Sequence, residues 1–410
     1  SILLISSIIV PVNALVFVLP SKCFINFFVD FVALDLTIYL LIWYNAFNSR
    51  LNMSARQIGI YGEIMFEVTL ADIRKIANEY SIDECPTAFY ELQRYNYDEE
   101  NKDSKEVRLI IKVVFEKHSA VVIRFKNERN VTKEHIEAQC RFAVQLSNGG
   151  IKTPYIYHID GHYANDYHIN GYDVIVTIED FCDGEVKAVD EKIARMTGVL
   201  LAQMHNVSEK MNLHVYDKVM FNPLLRNELF DISVFSENKE ILREIEPSLY
   251  DEIESITESY LRKIEVFKEE TQYAVQGDIS LCNLYITDDS EMGVFDYNNS
   301  GDNVLFYDVI MQAVFESRLM DYKDDYSERE QNILSAFLNG YDSVRPFTNL
   351  QKDIYPYLCA VISAYWLGDM SFDEGNLKSL IEKKQADAIC RFMNNMRNRL
   401  IDLQEFPLFG

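Results

Sequence analysis

Gln276-Gly277-Asp278-Ile279-Ser280-Leu281-Cys282-Asn283, followed by Val294-Phe295-Asp296-Tyr297, is the stretch on which the reading of this chain turns. Asp278 is a carboxylate able to take a proton from a hydroxyl, and Asn283, five residues on, is an amide able to bind metal. Asp296 arrives thirteen residues after Asn283, at the end of a short apolar run. Phosphoryl transfer asks the protein for little covalent chemistry. It asks for an aimed nucleophile and for Mg²⁺ held across the phosphates while charge moves to the leaving oxygen. An Asp, an Asn and a second Asp are the minimum set for that work.

The flanking residues suggest how the set is mounted. Residues 273–275 are a short apolar entry, Gly277 permits a sharp bend, and 284–287 resume an alternating apolar run. Asp288-Asp289-Ser290 is turn chemistry and 293–295 read as a returning strand. The expectation is strand, loop and β-hairpin, with Asp296 at the hairpin's exit. The competing reading is a surface hairpin carrying incidental acids in an acid-rich chain.

The stretch resembles the catalytic loop of the aminoglycoside phosphotransferase and choline kinase superfamily. Its pattern is His-Gly-Asp, four residues, Asn, then a hydrophobic-Asp pair after the hairpin. Gly277-Asp278, Asn283 and Phe295-Asp296 match, and Gln276 stands where the family usually has His. The resemblance spans roughly residues 65 to 400. It implies an α+β, bilobal protein-kinase-like fold: a small antiparallel-sheet lobe with one main helix, and a larger, mostly helical lobe. It also implies ATP and Mg²⁺ as cofactors, Asp278 as catalytic base, and Asn283 and Asp296 as metal ligands. Asp308 falls where the family commonly keeps a buried Asp that braces this loop; a helix N-terminal acid is the alternative. Gln276 leaves the orientation of the loop open, although an amide can still hydrogen-bond.

Composition narrows the partners. At 410 residues, with 48% hydrophobic and 13% aromatic residues, the chain can bury a large core. A net charge of −25 would repel nucleic acid and is compatible with a cationic small-molecule acceptor. Seven cysteines, none in metal-ligand spacing, read as reduced thiols in a cytoplasmic protein. Cys282 lies inside the loop but has no nearby His in sequence to make it a nucleophile.

Three parts are expected: an apolar N-terminal extension over 1–64, a small nucleotide-binding lobe over 65–181, and a large catalytic and acceptor-binding lobe over 182–410. The first has two long apolar stretches, enough to span a bilayer. Membrane helices, a secretory signal and a wrongly extended start before Met65 are the alternatives. The signal fits poorly, because no basic region precedes the apolar run.

In the small lobe, Thr69 and Thr132 read as N-caps of helices, and strands are expected over 87–95, 107–116, 119–125, 155–159 and 172–178. Helices are expected over 190–208, 248–270, 303–319, 326–340, 353–367 and 375–400. A kinase-like small lobe supplies a cation to the ATP phosphates from its third strand, steadied by an acid on the following helix. Arg124 and Lys126 share one face of that strand, Arg124 aligning better with the family's basic position. Glu137 or Gln139 would occupy the acid's place. The resemblance also places adenine against main-chain groups of Glu179, Asp180 and Phe181, whose side chains need not be special. His205, on an apolar helix, reads as a hydrogen-bonded core histidine. Late acids Asp369, Asp373 and Glu374 would suit an amine-bearing acceptor; a solvated acidic loop is the alternative. The function implied is an ATP-dependent small-molecule kinase; the alternative is a pseudokinase that binds nucleotide or a partner without turnover.

Overall fold

The computed structural model describes residues 66–95, 105–215, 222–225, 230–279, 281–318 and 328–402. The residues from Met65 to Gly410 form a unit of their own. The segment 1–64, with its membrane, signal and start-site alternatives, lies outside the described residues. Among those described, no helix is long and apolar enough to cross a membrane.

The first helix, α1 (Leu70–Glu79), starts where its cap is expected. The Thr69 hydroxyl accepts from Asp72 N, and the Asp72 carboxylate accepts from Thr69 N, closing a capping box. It packs Ile73, Ile76 and Ala77 onto an antiparallel sheet. That sheet comprises β1 (Ala88–Tyr95), β2 (Val107–Val114), β3 (Val121–Asn127), β4 (Asn165–Ile169) and β5 (Tyr172–Asp180), in the order β1-β2-β3-β5-β4.

Five strands are expected and five form, but one is elsewhere in the chain. Residues 155–159 make only isolated bridges, Ile156 with Glu179 and Ile159 with His162. Most of the β5 edge is taken by β4, which pairs from Asn165 opposite Val176 to Ile169 opposite Tyr172. Asn170 and Gly171 form the tight turn, both at positive φ (51° and 82°). An Asn-Gly pair between alternating residues is a strong local hairpin signal, and it joins β4 to β5.

Alternation in this sheet separates core from site. Leu109, Ile111, Val121, Ile123, Phe125, Val176 and Ile178 point into the core under α1. Arg124 and Lys126, interleaved with them on β3, therefore lie on the opposite face. The helix after β3, α2 (Lys133–Asn148), is capped by Thr132, whose hydroxyl accepts from His135 N at 3.1 Å. Its Phe142, Ala143 and Leu146 join the core of the helical part, and Phe142 meets Tyr297 edge-on at 5.8 Å. This helix ties the small lobe to the loop that follows Asp296.

The rest is mainly helical: α3 (Glu191–Met211), α4 (Ser233–Glu237), α5 (Lys239–Ile245), α6 (Pro247–Ile264), α7 (Leu305–Arg318), α8 (Glu328–Asp342), α9 (Asn349–Ala364), α10 (Leu377–Glu382) and α11 (Ala386–Asp402). The single helix expected over 375–400 is two, interrupted near Lys384, whose φ is 54°. The expected helix over 248–270 ends at Ile264 and passes into a 3-10 turn, Glu265–Phe267. Helices α3 and α8 approach closely through Gly198 and Gly340. A Cβ on Gly198 would stand 2.0 Å from Phe337 O, and one on Gly340 would stand 2.2 Å from Arg195 O. That approach brings His205 and Tyr341 together beneath the Asp278 loop.

Candidate active site

Two short antiparallel pairs carry the site. Strand β6 (Gln272–Val275) pairs with β9 (Gly301–Val304), and β7 (Leu284–Ile286) pairs with β8 (Met292–Val294) as the expected hairpin. The β6–β7 loop holds Asp278 and Asn283, and the β8–β9 loop holds Asp296. Gly277 takes φ 81°, a conformation that strains residues with a Cβ. Asp296 takes φ 58°, strain that Asp tolerates better than most residues.

Gln276 is fully buried and links the two loops. Its Nε2 donates to Asp296 O at 2.7 Å, and its Oε1 accepts from Asp278 N at 2.8 Å. The open question about loop orientation is answered by geometry: this amide ties the main chain at Asp278 to that at Asp296.

Asn283 reaches back across its loop. Its Nδ2 donates to Asp278 O at 2.8 Å and lies 3.2 Å from Asp278 Oδ2. Asn299 Nδ2 donates to the same carboxylate oxygen at 3.2 Å. Asp278 and Asn283 are thus in contact, with Asn299 as a further member, and Asp296 is joined to them through its main chain by Gln276.

Below the loop runs a buried polar chain. Ile279 N donates to Gln312 Oε1 at 3.2 Å, and Gln312 Nε2 donates to Asp308 Oδ1 at 3.4 Å. Asp308 Oδ2 lies 3.0 Å from His205 Nε2, and His205 Nδ1 lies 2.8 Å from the Tyr341 hydroxyl. Asp308 does brace the loop, through Gln312, and His205 is a hydrogen-bonded core residue that supports it.

Arg124 and Lys126 enter from the sheet, both almost fully buried. Arg124 Nη2 lies 2.8 Å and Nε 3.2 Å from Glu179 Oε1, and Nη1 lies 3.3 Å from Asp296 Oδ2. Lys126 Nζ donates to Asn298 Oδ1. Burial by itself would raise the Asp296 carboxyl, but the Arg124 and Lys126 charges outweigh it and hold it below its ordinary value. Burial likewise opposes the Arg124 charge, yet Asp296 and Glu179 raise it above the usual guanidinium range. Lys126 is brought down to about 8 by burial and by the neighbouring Arg124 charge.

The helix position is resolved by the same geometry. Glu137 turns away, accepting from Tyr163 N and Ala164 N, each at 2.8 Å. Gln139 faces the site and donates from Nε2 to Asn298 O at 2.7 Å. No acid from α2 steadies the β3 cations. Asp180 N donates to Tyr155 O and Phe181 N to Ala120 O, so both amides are engaged within the small lobe. Asp180 Oδ1 accepts from the Tyr157 hydroxyl at 2.8 Å, and the Phe181 ring lies 3.4 Å from Lys112 Nζ. The Glu179 side chain, expected to have no special part, is the partner of Arg124.

Among the late acids, Asp369 is paired with Arg318 at 2.7 Å, while Asp373 and Glu374 are exposed. Residues that sequence reasoning missed are Asn298, Asn299 and Gln312. The Asn-Asn pair directly after Asp296-Tyr297 was a visible polar signal; Gln312, a polar residue four positions after Asp308 on an apolar helix, was another.

No protein-family model matches the chain, and no curated protein matches it. The structure is similar to a microcompartment-associated aminopropanol kinase, at TM-score 0.49 and 15% identity, covering 83% of this chain and 100% of that one. It is similar to an amicoumacin kinase solved with AMP-PNP and Ca²⁺, at TM-score 0.48 and 14% identity, covering 73% of this chain and 88% of the other. It is also similar to a choline kinase from Streptococcus pneumoniae, at TM-score 0.40 and 11% identity, covering 80% and 98% respectively.

Proposed function

We propose that this chain is an ATP- and Mg²⁺-dependent kinase that phosphorylates a hydroxyl of a small molecule. The observation that carries the reading is the convergence of Asp278, Asn283 and Asp296 at one place, with the β3 cations against it. An unrelated surface hairpin would have no reason to gather them around a buried, bridging amide.

The donor set fits a hard cation. Asp296 is held ionised by its surroundings, and Asn283 uses its amide nitrogen within the loop, leaving its carbonyl oxygen as the end suited to metal. Mg²⁺, when bound, supplies neutralisation of the charge that builds on the phosphates. Asp278, held by Asn283 and Asn299, orients the acceptor hydroxyl and takes its proton. Arg124 and Lys126 bind the phosphates that are not transferred. With the amides of Asp180 and Phe181 engaged in the small lobe, and Glu179 paired opposite Val122 in the sheet, this connection would meet adenine through the carbonyl oxygens of Asp180 and Phe181. A net charge of −25 is compatible with a cationic acceptor. Reduced thiols suit a cytoplasmic setting.

One observation favours a second reading, a pseudokinase: Arg124 sits 3.3 Å from Asp296, against a metal-ligating oxygen. Acceptor-dependent ADP release, screened over amino alcohols and aminoglycosides with and without Mg²⁺, decides between them. Release that is lost in Asp278→Asn supports the kinase. Nucleotide binding with no release from any acceptor favours the second reading.

A further inference from the structure

We infer that Glu179 is a positioning residue: its carboxylate, delivered by β5, holds Arg124 and thereby leaves Asp296 free to take a metal ion. The inference rests on the kinase reading and adds a component to it. In kinases the cation on the third strand is steadied by an acid from the next helix. In this chain that helix presents Gln139, which is neutral and bonded to Asn298 O, and its nearest acid, Glu137, is held by the Tyr163 and Ala164 amides. The counter-charge comes from another element.

The sheet register explains how. Arg124 stands opposite Thr177 across the β3–β5 pair, and Glu179 is two residues further along β5. Residues two apart share a face, so Glu179 is the diagonal neighbour of Arg124, within reach of two long side chains. Both Nε and Nη2 of Arg124 meet Glu179 Oε1, at 3.2 and 2.8 Å. The side chains are 9% and 13% exposed, so water screens the pair little.

One guanidinium is therefore shared between two acids, Glu179 by two nitrogens and Asp296 by the third. A buried cation does not remain unpaired. With Glu179 present, Arg124 keeps a partner when a metal ion takes Asp296. Without that carboxylate, Asp296 is the acid left to it, and the guanidinium competes with the metal for the same oxygens.

The test is ADP affinity measured by calorimetry over a Mg²⁺ titration, which needs neither turnover nor a known acceptor. Supporting interactions of this kind typically change metal affinity ~10–100-fold, so Glu179→Gln should raise the half-saturating Mg²⁺ by about that factor. In an Arg124→Met background the same substitution should leave the Mg²⁺ dependence unchanged, because the competing cation is gone. An unshifted titration in Glu179→Gln, or an equal shift in both backgrounds, overturns the inference while the kinase reading stands. Wild-type protein that binds no ADP at any Mg²⁺ concentration removes both. If Glu179→Gln does not fold, Glu179→Asp, which keeps the charge but shortens the reach, should give a smaller shift in the same direction. No shift there also overturns it.

Discussion

Gln276 and Asp296 are joined by a 2.7 Å hydrogen bond from a buried side-chain amide to a main-chain carbonyl, and the other end of that amide accepts from Asp278 N. Replacing Gln276 by Leu keeps the volume but takes the partner from two part-buried main-chain groups, Asp278 N and Asp296 O. Leaving such groups unsatisfied typically costs ~1–3 kcal/mol. Gln276→Leu should therefore lower the urea midpoint and weaken Mg²⁺-dependent nucleotide binding together. Wild-type stability and affinity in this variant would show that the link is dispensable.

Asp296→Ala should abolish Mg²⁺-dependent ADP binding in a protein that stays folded. Asn283→Ala should weaken it less, since a neutral amide contributes less than a carboxylate to holding a hard cation. Calorimetry with and without Mg²⁺ is the measurement, and an unchanged Mg²⁺ titration in Asp296→Ala would contradict the ligand assignment.

Asp278 is proposed to act on the acceptor, so its loss should separate binding from turnover. Asp278→Asn should keep ATP·Mg²⁺ affinity and lower kcat by ~10²–10⁴-fold, the usual contribution of a general base. Steady-state kinetics with the acceptor found by the screen, beside nucleotide calorimetry, gives both numbers. Full activity in this variant would remove the loop's catalytic role.

Glu316, on α7, is fully buried, and its Oε1 accepts from the Thr197 hydroxyl at 3.1 Å. Burial pushes its carboxyl up from 4.5 to about 8, against the smaller opposing effect of the Thr197 bond. Between those values the folded protein keeps a proton that the unfolded chain has lost. This group's contribution is therefore complete below the ordinary carboxyl range, falls as pH rises, and is gone above about 8. Glu316→Gln should flatten that decline and stabilise the protein above pH 8 by at least about 1 kcal/mol, a floor well under the full shift at ~1.4 kcal/mol per pKa unit. Urea unfolding of both proteins at several pH values checks it; parallel pH profiles would refute it.

Much of this architecture was legible in the chain because its signals are local. Caps at Thr69 and Thr132, alternation along β2, β3 and β5, and the spacing of Asp278, Asn283 and Asp296 all act over a few residues with fixed periods. Where local signals competed, length misled: 155–159 is apolar enough for a strand, yet the Asn170-Gly171 turn secured the β5 edge for its neighbour.

What the sequence by itself determined is the inventory of the site and the face on which each part would sit. Side-chain alternation and turn chemistry are properties of neighbouring residues, and they place Arg124, Lys126 and the two loops without reference to the rest. Only the tertiary structure decided the partners. Arg124 meets Glu179 across 55 residues of sequence and Asp296 across 172. Gln139 rather than Glu137 faces the site, and Gln312 links Asp308 to the loop. Those pairings follow from which strand lies beside which and how α2 and α7 pack. Long-range packing of that kind leaves no periodic trace in the chain, because it depends on the summed burial of many side chains rather than on the spacing of a few.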